Sequence, residues 1–139
     1  MRELLVATKN PGKFREISEA LSGVPFKLVF LGELGLDDGD FVEDGLTFEE
    51  NAEKKARYYF GKTGLMTLAE DSGIFVDALD GELGVKTRRW GAGEKASDQE
   101  WIDYFMKRMS GVPADKRGAK FVCYACVVWE PVGVGEGAA

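Results

Sequence analysis

Two short patterns place chemically useful side chains where a chain could use them. In Thr8-Lys9-Asn10-Pro11-Gly12-Lys13, two lysines bracket the start of a helix. In Glu70-Asp71-Ser72-Gly73, two carboxylates adjoin at the end of an apolar run. Asn10 is a good N-cap and Pro11 suits the first helical position, where a missing N–H costs nothing. A helix N-terminus whose free N–H groups face a gap, flanked by Lys9 and Lys13, is a seat for phosphate. The same residues also compose an ordinary capped strand–helix turn with solvated lysines. The segment is not a Walker A loop, because Gly12-Lys13 is followed by Phe14, and no G-x-G-x-x-G follows the strand.

The chain contains no histidine. Mechanisms that need a histidine base or ligand are therefore excluded, and acid–base chemistry falls to carboxylates, lysines or tyrosines. In open α/β folds, ligands bind beyond the carboxyl ends of the strands. Thr8 to Lys13 and Glu70-Asp71 both read as such ends, and Glu43 precedes a helix nearby. Carboxylates would repel a phosphate unless a cation intervened. Mg²⁺ is the economical choice, since it takes carboxylate and phosphate oxygens together, and a carboxylate beside it could activate a polarised water. An acidic pair before Ser-Gly is also a common solvated turn.

The elements that must position these groups follow from the pattern. Leu4 to Ala7 reads as a strand, Phe14 to Leu21 as a helix and Phe26 to Leu31 as a second strand. Thr47 with Glu50 predicts a capping box opening a helix with Phe48, Ala52, Lys55, Ala56 and Tyr59 on one side, ending near Gly61 or Gly64. Lys55 at the edge of that stripe is either a snorkelling surface residue or a charge aimed into a cleft. Leu65 to Ala69 reads as a short buried strand, and Ile74 to Leu79 as another. Ser97 with Glu100 opens a third helix carrying Trp101, Ile102, Phe105 and Met109. Ala119 to Trp129 is apolar on both faces and predicts a central strand covered on both sides. Strands alternating with helices make this an α/β domain. It should span residues 1–130, with a glycine-rich, frayed tail at 131–139.

The bulk properties narrow the class. One domain with a real core fits 139 residues, 45% of them hydrophobic. A net charge of -6 argues against a general nucleic-acid binder. No apolar run is long enough to span a membrane and no signal pattern opens the chain, so a cytoplasmic protein is expected. The two cysteines, Cys123 and Cys126, would point to opposite faces of a strand and are expected as buried core residues.

Taken together, A-T-K-N-P-G-K (Ala7 to Lys13), E-D-G-L-T-F-E-E-N-A (Glu43 to Ala52), K-A (Lys55-Ala56), A-E-D-S-G-I-F-V-D-A-L-D-G (Ala69 to Gly81) and R-G-A-K-F-V-C (Arg117 to Cys123) resemble the inosine triphosphate pyrophosphatase (Ham1-like) family, in the family's order and over nearly the whole chain. The resemblance implies a twisted mixed sheet flanked by helices and a Mg²⁺-dependent hydrolase. Its substrates would be noncanonical purine triphosphates (ITP, dITP, XTP), cleaved to the monophosphate and pyrophosphate. It implies a triphosphate cradle of Thr8, Asn10 and Lys13, with Lys9 beside it, and a lysine, Lys55, that meets the phosphates from the second helix. Glu43 and Glu70 would be metal carboxylates, and Asp71 would hold metal or activate the attacking water. Ser72 and Gly73 would complete the loop against the nucleotide. Lys13, Lys55 and Asp71 are thus the implied catalytic set, and a homodimer is implied.

Two departures qualify the resemblance. The family's Pro-Gly-Val-x-Ser-Ala-Arg is here Leu83-Gly84-Val85-Lys86-Thr87-Arg88-Arg89, so Thr87 stands for the serine and Arg89 falls on the arginine. The family's G-F-G-Y-D-P and Ser-His-Arg motifs, which help hold the base, are absent from the 139 residues. Two expectations follow: a pyrophosphatase with altered base preference, or a shortened, catalytically impaired nucleotide-binding or interaction module.

Overall fold

The computed structural model describes residues 1–36, 44–88, 90–91, 93 and 95–130. Glu43, Arg89 and the tail 131–139 lie outside the described residues. The first strand, β1 (Arg2–Val6), pairs in parallel with β2 (Phe26–Phe30) on one side and with β3 (Met66–Val76) on the other. An antiparallel partner, β4 (Ala119–Val128), completes the order β2-β1-β3-β4. The sheet is therefore mixed, as the family resemblance implies.

The helices start where their caps predict. In α1 (Pro11–Ala20), Asn10 Oδ1 accepts the N–H groups of Gly12 and Lys13. In α2 (Phe48–Thr63), Thr47 accepts the Glu50 N–H, and Gly64 closes the helix at φ 70°. The Glu50 carboxylate, however, reaches the N–H of Leu46 at 2.9 Å rather than that of Thr47. The full capping box occurs in α3 (Asp98–Met109), between Ser97 and Glu100.

Two hydrophobic clusters hold these elements. Leu5, Ala7 and Ala69 of the sheet pack with Ala56 and Tyr59 of α2. Val76, Leu79, Leu83, Trp90 and Met109 form the second, against which Trp101 and Phe105 of α3 are packed.

Three expectations are corrected. The two short strands expected at Leu65 to Ala69 and Ile74 to Leu79 are one continuous β3, and Glu70-Asp71 lies inside it rather than at its end. Locally these residues favour a turn, but pairing with β4 from Thr67–Val128 to Val76–Ala119 keeps the backbone extended. Tertiary pairing overrides the local preference.

Nor is β4 a covered central strand; among the described residues it is an edge strand, with Phe121, Tyr124, Val127 and Trp129 exposed. Only its α2 side is partly covered, where Cys126 and Val128 pack on the first cluster. Finally, Cys123 is exposed rather than buried, because it sits on the open face of that edge. The opposite orientation of the two cysteines does hold, since Cys123 faces Ser72 and Cys126 faces Ala69 in the register.

Candidate functional site

β1 ends at Val6, and its ladder with β3 ends at Leu68. The last tie is the Ala7 N–H donating to the Leu68 carbonyl at 2.8 Å. Beyond that point the β1 side of β3 has lost its neighbour, because the chain has turned into α1. A cleft of about 630 Å³ opens there, lined by Lys13, Lys55, Glu70, Asp71, Ser72 and Gly73 at one end.

Successive strand residues face opposite sides, and the two helices exploit this. Glu70 lies on the α1 side, where Lys13 Nζ forms an ion pair with its Oε1. Cys123 Sγ lies 3.5 Å from Glu70 Oε2. Partial loss of solvent around the largely exposed thiol, and then the neighbouring Glu70 charge, push Cys123 above its ordinary value. Asp71 lies on the α2 side, where Asn51 Nδ2 donates to its Oδ2 at 3.0 Å. Lys55, one helical turn after Asn51, donates from Nζ to the Glu70 carbonyl at 3.2 Å.

Asn51 is a further residue of this arrangement, one that its motif does not mark. It is 2% exposed, and its Oδ1 also accepts the Gly45 N–H at 2.6 Å. One side chain thus ties the segment entering α2 to the carboxylate in the cleft. The available signal was a polar residue one turn from Lys55 on an otherwise apolar stripe.

The first turn of α1 differs in detail from the expectation of free N–H groups. Pro11 has no N–H, the Gly12 and Lys13 N–H groups are held by Asn10 Oδ1 at 2.8 and 3.3 Å, and the Phe14 N–H goes to the Asn10 carbonyl at 3.0 Å. The first turn of α1 is therefore internally capped instead of presenting free N–H groups. Cationic side chains remain as the chief anion-attracting groups. Thr8 and Asn10 support the turn, with Thr8 Oγ1 accepting the Asn10 N–H at 3.2 Å. Lys9 is directed elsewhere, toward the Leu36 carbonyl at 3.4 Å. Glu43 and Arg89 lie outside the described residues.

Ser72 and Gly73 do line the cleft, and Gly73 has a packing reason. A Cβ there would lie 2.4 Å from the Gly84 carbonyl oxygen and 2.5 Å from Thr87 Oγ1. The loop from Gly84 to Thr87 rests directly on β3, and Thr87 Oγ1 accepts the Ile74 N–H at 3.0 Å. The Thr87 hydroxyl therefore docks this loop.

Among the described residues, no three carboxylate, cysteine or histidine groups gather into a ready metal cage. Glu70 and Asp71 face opposite sides of β3, so each offers a carboxylate of the kind Mg²⁺ takes, commonly one or two together with substrate phosphates, rather than a shared pair. No helix among the described residues is long and apolar enough to cross a membrane.

Known proteins resemble this chain in sequence and in fold. The Ham1 family model matches residues 4–138. A dITP/XTP pyrophosphatase of Geobacter sulfurreducens is 47% identical over 123 residues, covering 88% of this chain and 61% of that protein. A dITP/XTP pyrophosphatase of Yersinia pseudotuberculosis is 44% identical over the same shares. Among solved structures, a HAM1 protein from Coxiella burnetii superposes with a TM-score of 0.78 at 34% identity, over 92% of this chain and 64% of that one. The chain thus spans about three fifths of the length of the curated relatives it matches (61%).

Proposed function

The chain belongs to the Ham1 family, and on that premise we propose that it hydrolyses noncanonical purine nucleoside triphosphates (ITP, dITP, XTP) to the monophosphate and pyrophosphate. The observation that carries the reading is the convergence of Lys13, Lys55, Glu70 and Asp71 on one cleft. Two ammonium groups there match the charge of a polyphosphate, and the partly dry walls strengthen that attraction. The ion pair between Lys13 and Glu70 holds the lysine at the seat in the absence of substrate. An incoming phosphate offers Lys13 a stronger anion and draws it from Glu70.

Glu70 and Asp71 would hold Mg²⁺, which supplies charge neutralisation at the phosphate oxygens. Asp71, fixed by Asn51, is placed to accept a proton from the attacking water. Water oxygen then bonds to the α-phosphorus, the bond from that phosphorus to the bridging oxygen breaks, and pyrophosphate leaves with the electron pair. Lys55 and Lys13 offset the charge that develops on the leaving pyrophosphate.

The test is product analysis with ITP, XTP and ATP, with and without Mg²⁺. The expected products are the monophosphate and pyrophosphate, formed only with Mg²⁺ and lost in Asp71→Asn. Release of orthophosphate instead, or normal turnover by Asp71→Asn, refutes the proposal. A cytoplasmic, homodimeric enzyme remains part of the same proposal and is tested by fractionation and by sedimentation.

A further inference from the structure

The sheet ends on a strand that little protects. β4 runs ten residues with Lys120 as its one charged side chain and with neither proline nor glycine. Among the described residues its outer side has no strand partner. Soluble proteins blunt such edges with charges, proline or a covering element, because an open row of N–H and C=O groups pairs with another strand. One face of the strand is apolar as well. Phe121, Cys123, Ala125, Val127 and Trp129 alternate along it and all five are exposed, Phe121 to 69% and Trp129 to 50%. A contiguous apolar strip of this kind marks a surface that meets another protein.

The occupant is written into β4 itself. A two-fold axis perpendicular to a sheet pairs two copies of one strand antiparallel, keeps each face common to both, and centres the pairing on one residue. Centred on Ala125, the strand matches its own image. Lys120 falls opposite the partner's Glu130, and Glu130 opposite the partner's Lys120. Phe121 falls opposite the partner's Trp129, and Cys123 opposite the partner's Val127. Opposite charges and aromatic pairs across strands each stabilise. Centring on Tyr124 sets Lys120 against a valine, and centring on Cys126 sets Glu130 against one. The chain stays beside the sheet far enough to make the end pairs, since Arg2 Nη2 donates to the Glu130 carbonyl at 3.4 Å.

We infer that a second copy of this chain pairs along β4, antiparallel and centred on Ala125, joining two four-stranded sheets into one. This locates the interface of the homodimer proposed above and is independent of the hydrolysis. The arrangement is closed, because it uses the β4 edge of both copies. It also reaches the cleft, since Phe121 belongs to the lining and the partner's Trp129 packs beside it.

Sedimentation equilibrium of the whole chain should show a dimer. Lys120→Glu and Glu130→Lys each set like charges opposite one another at both ends of the pairing, and each should weaken the dimer on the order of tenfold. The double variant Lys120→Glu/Glu130→Lys should restore the parent's affinity, which a damaged fold would not do. Val127→Cys should cross-link to the partner's Cys123 on oxidation with diamide, because directly opposite Cα atoms lie about 4.5–5.5 Å apart, within disulfide reach. In the parent the two copies of Cys123 lie about 13 Å apart along the strands and should not cross-link. A monomer up to high micromolar concentration overturns this inference together with the homodimer. A dimer unmoved by either charge reversal, not restored by the double variant, or lacking the Val127→Cys cross-link overturns the β4 interface and leaves the homodimer standing.

Discussion

Replacing Asn51 should separate the two duties of a buried polar side chain that touches the cleft's Asp71. Its Nδ2 donates to Asp71 and its Oδ1 accepts from Gly45. Asn51→Leu keeps the volume and removes both bonds. A hydrogen bond to a charged group contributes about 1.5–3 kcal/mol and a neutral one about 0.5–1.5 kcal/mol, so the loss should be about 2–4.5 kcal/mol. That is a large share of the roughly 5–15 kcal/mol that stabilises a domain.

Asn51→Asp is more diagnostic. The new carboxylate can still accept the Gly45 N–H, but it sets a second anion where Asn51 now lies 3.0 Å from Asp71. At an effective dielectric near 20 the repulsion is on the order of 5 kcal/mol, so the folded pair retains one proton at neutral pH. The folded pair then binds more protons than the unfolded chain. Stability must therefore fall as pH rises through the unfolded carboxylate range and on to the raised folded value. Urea unfolding at pH 5 and pH 7.5 measures this: the variant should be markedly more stable, relative to the parent, at pH 5. An Asn51→Asp protein within about 0.5 kcal/mol of the parent at pH 7.5, well inside the effect expected of a buried like-charge pair, would refute the geometry on which the argument rests.

Three further outcomes follow. Gly73→Ala should destabilise by about 1–3 kcal/mol, the usual cost of overpacking, because its Cβ meets the backbone oxygen of Gly84; unchanged urea unfolding would show that the loop does not rest on β3. The Glu82 carboxyl is held below its ordinary value of 4.5 first by the hydrogen bond from Arg108, so its stabilisation is complete above that value and fades as pH falls through the lower folded one. The melting temperature of Glu82→Gln should accordingly vary less than the parent's between pH 5 and pH 3, and parallel curves would contradict this. The Cys123 thiol, shifted upward by partial loss of solvent and by Glu70, should alkylate with iodoacetamide more slowly at pH 7.5 than the same cysteine in urea-unfolded chain; equal rates would place Cys123 away from the carboxylate.

Much of the local order was legible. Asn10-Pro11, Thr47 and Ser97-Glu100 mark helix starts because capping is decided within four residues. Lys13, Lys55, Glu70 and Asp71 are expected from their motifs to share a site, and all four line one cleft. The place of Asn51 on an apolar stripe, one turn from Lys55, hints at burial but not at its partners; its meaning lies in Gly45 and in Asp71, 20 residues away. The first turn of α1 departs from the expectation for the opposite reason. The same Asn10 that announces the helix consumes the N–H groups the helix was expected to offer.

The strands show where local pattern fails. Glu70 to Gly73 carries turn chemistry and is strand, because its conformation is set by partners some fifty residues downstream. β4 carries the apolar run of an interior strand and lies at an edge, because hydropathy records what a strand is able to bury and not which neighbours it finds. The site depends on both facts. Asn10 and Pro11 end β1 early and begin α1, and that uncovers β3 just past Leu68. The long pairing with β4 keeps β3 straight through the uncovered stretch instead of letting it turn away. Glu70 and Asp71 can therefore face opposite helices and still border one cleft. Extending β1 by two residues would cover the gap, and breaking β3 into two strands would disperse its lining. The catalytic reading rests on the mismatch in length between these two neighbouring strands.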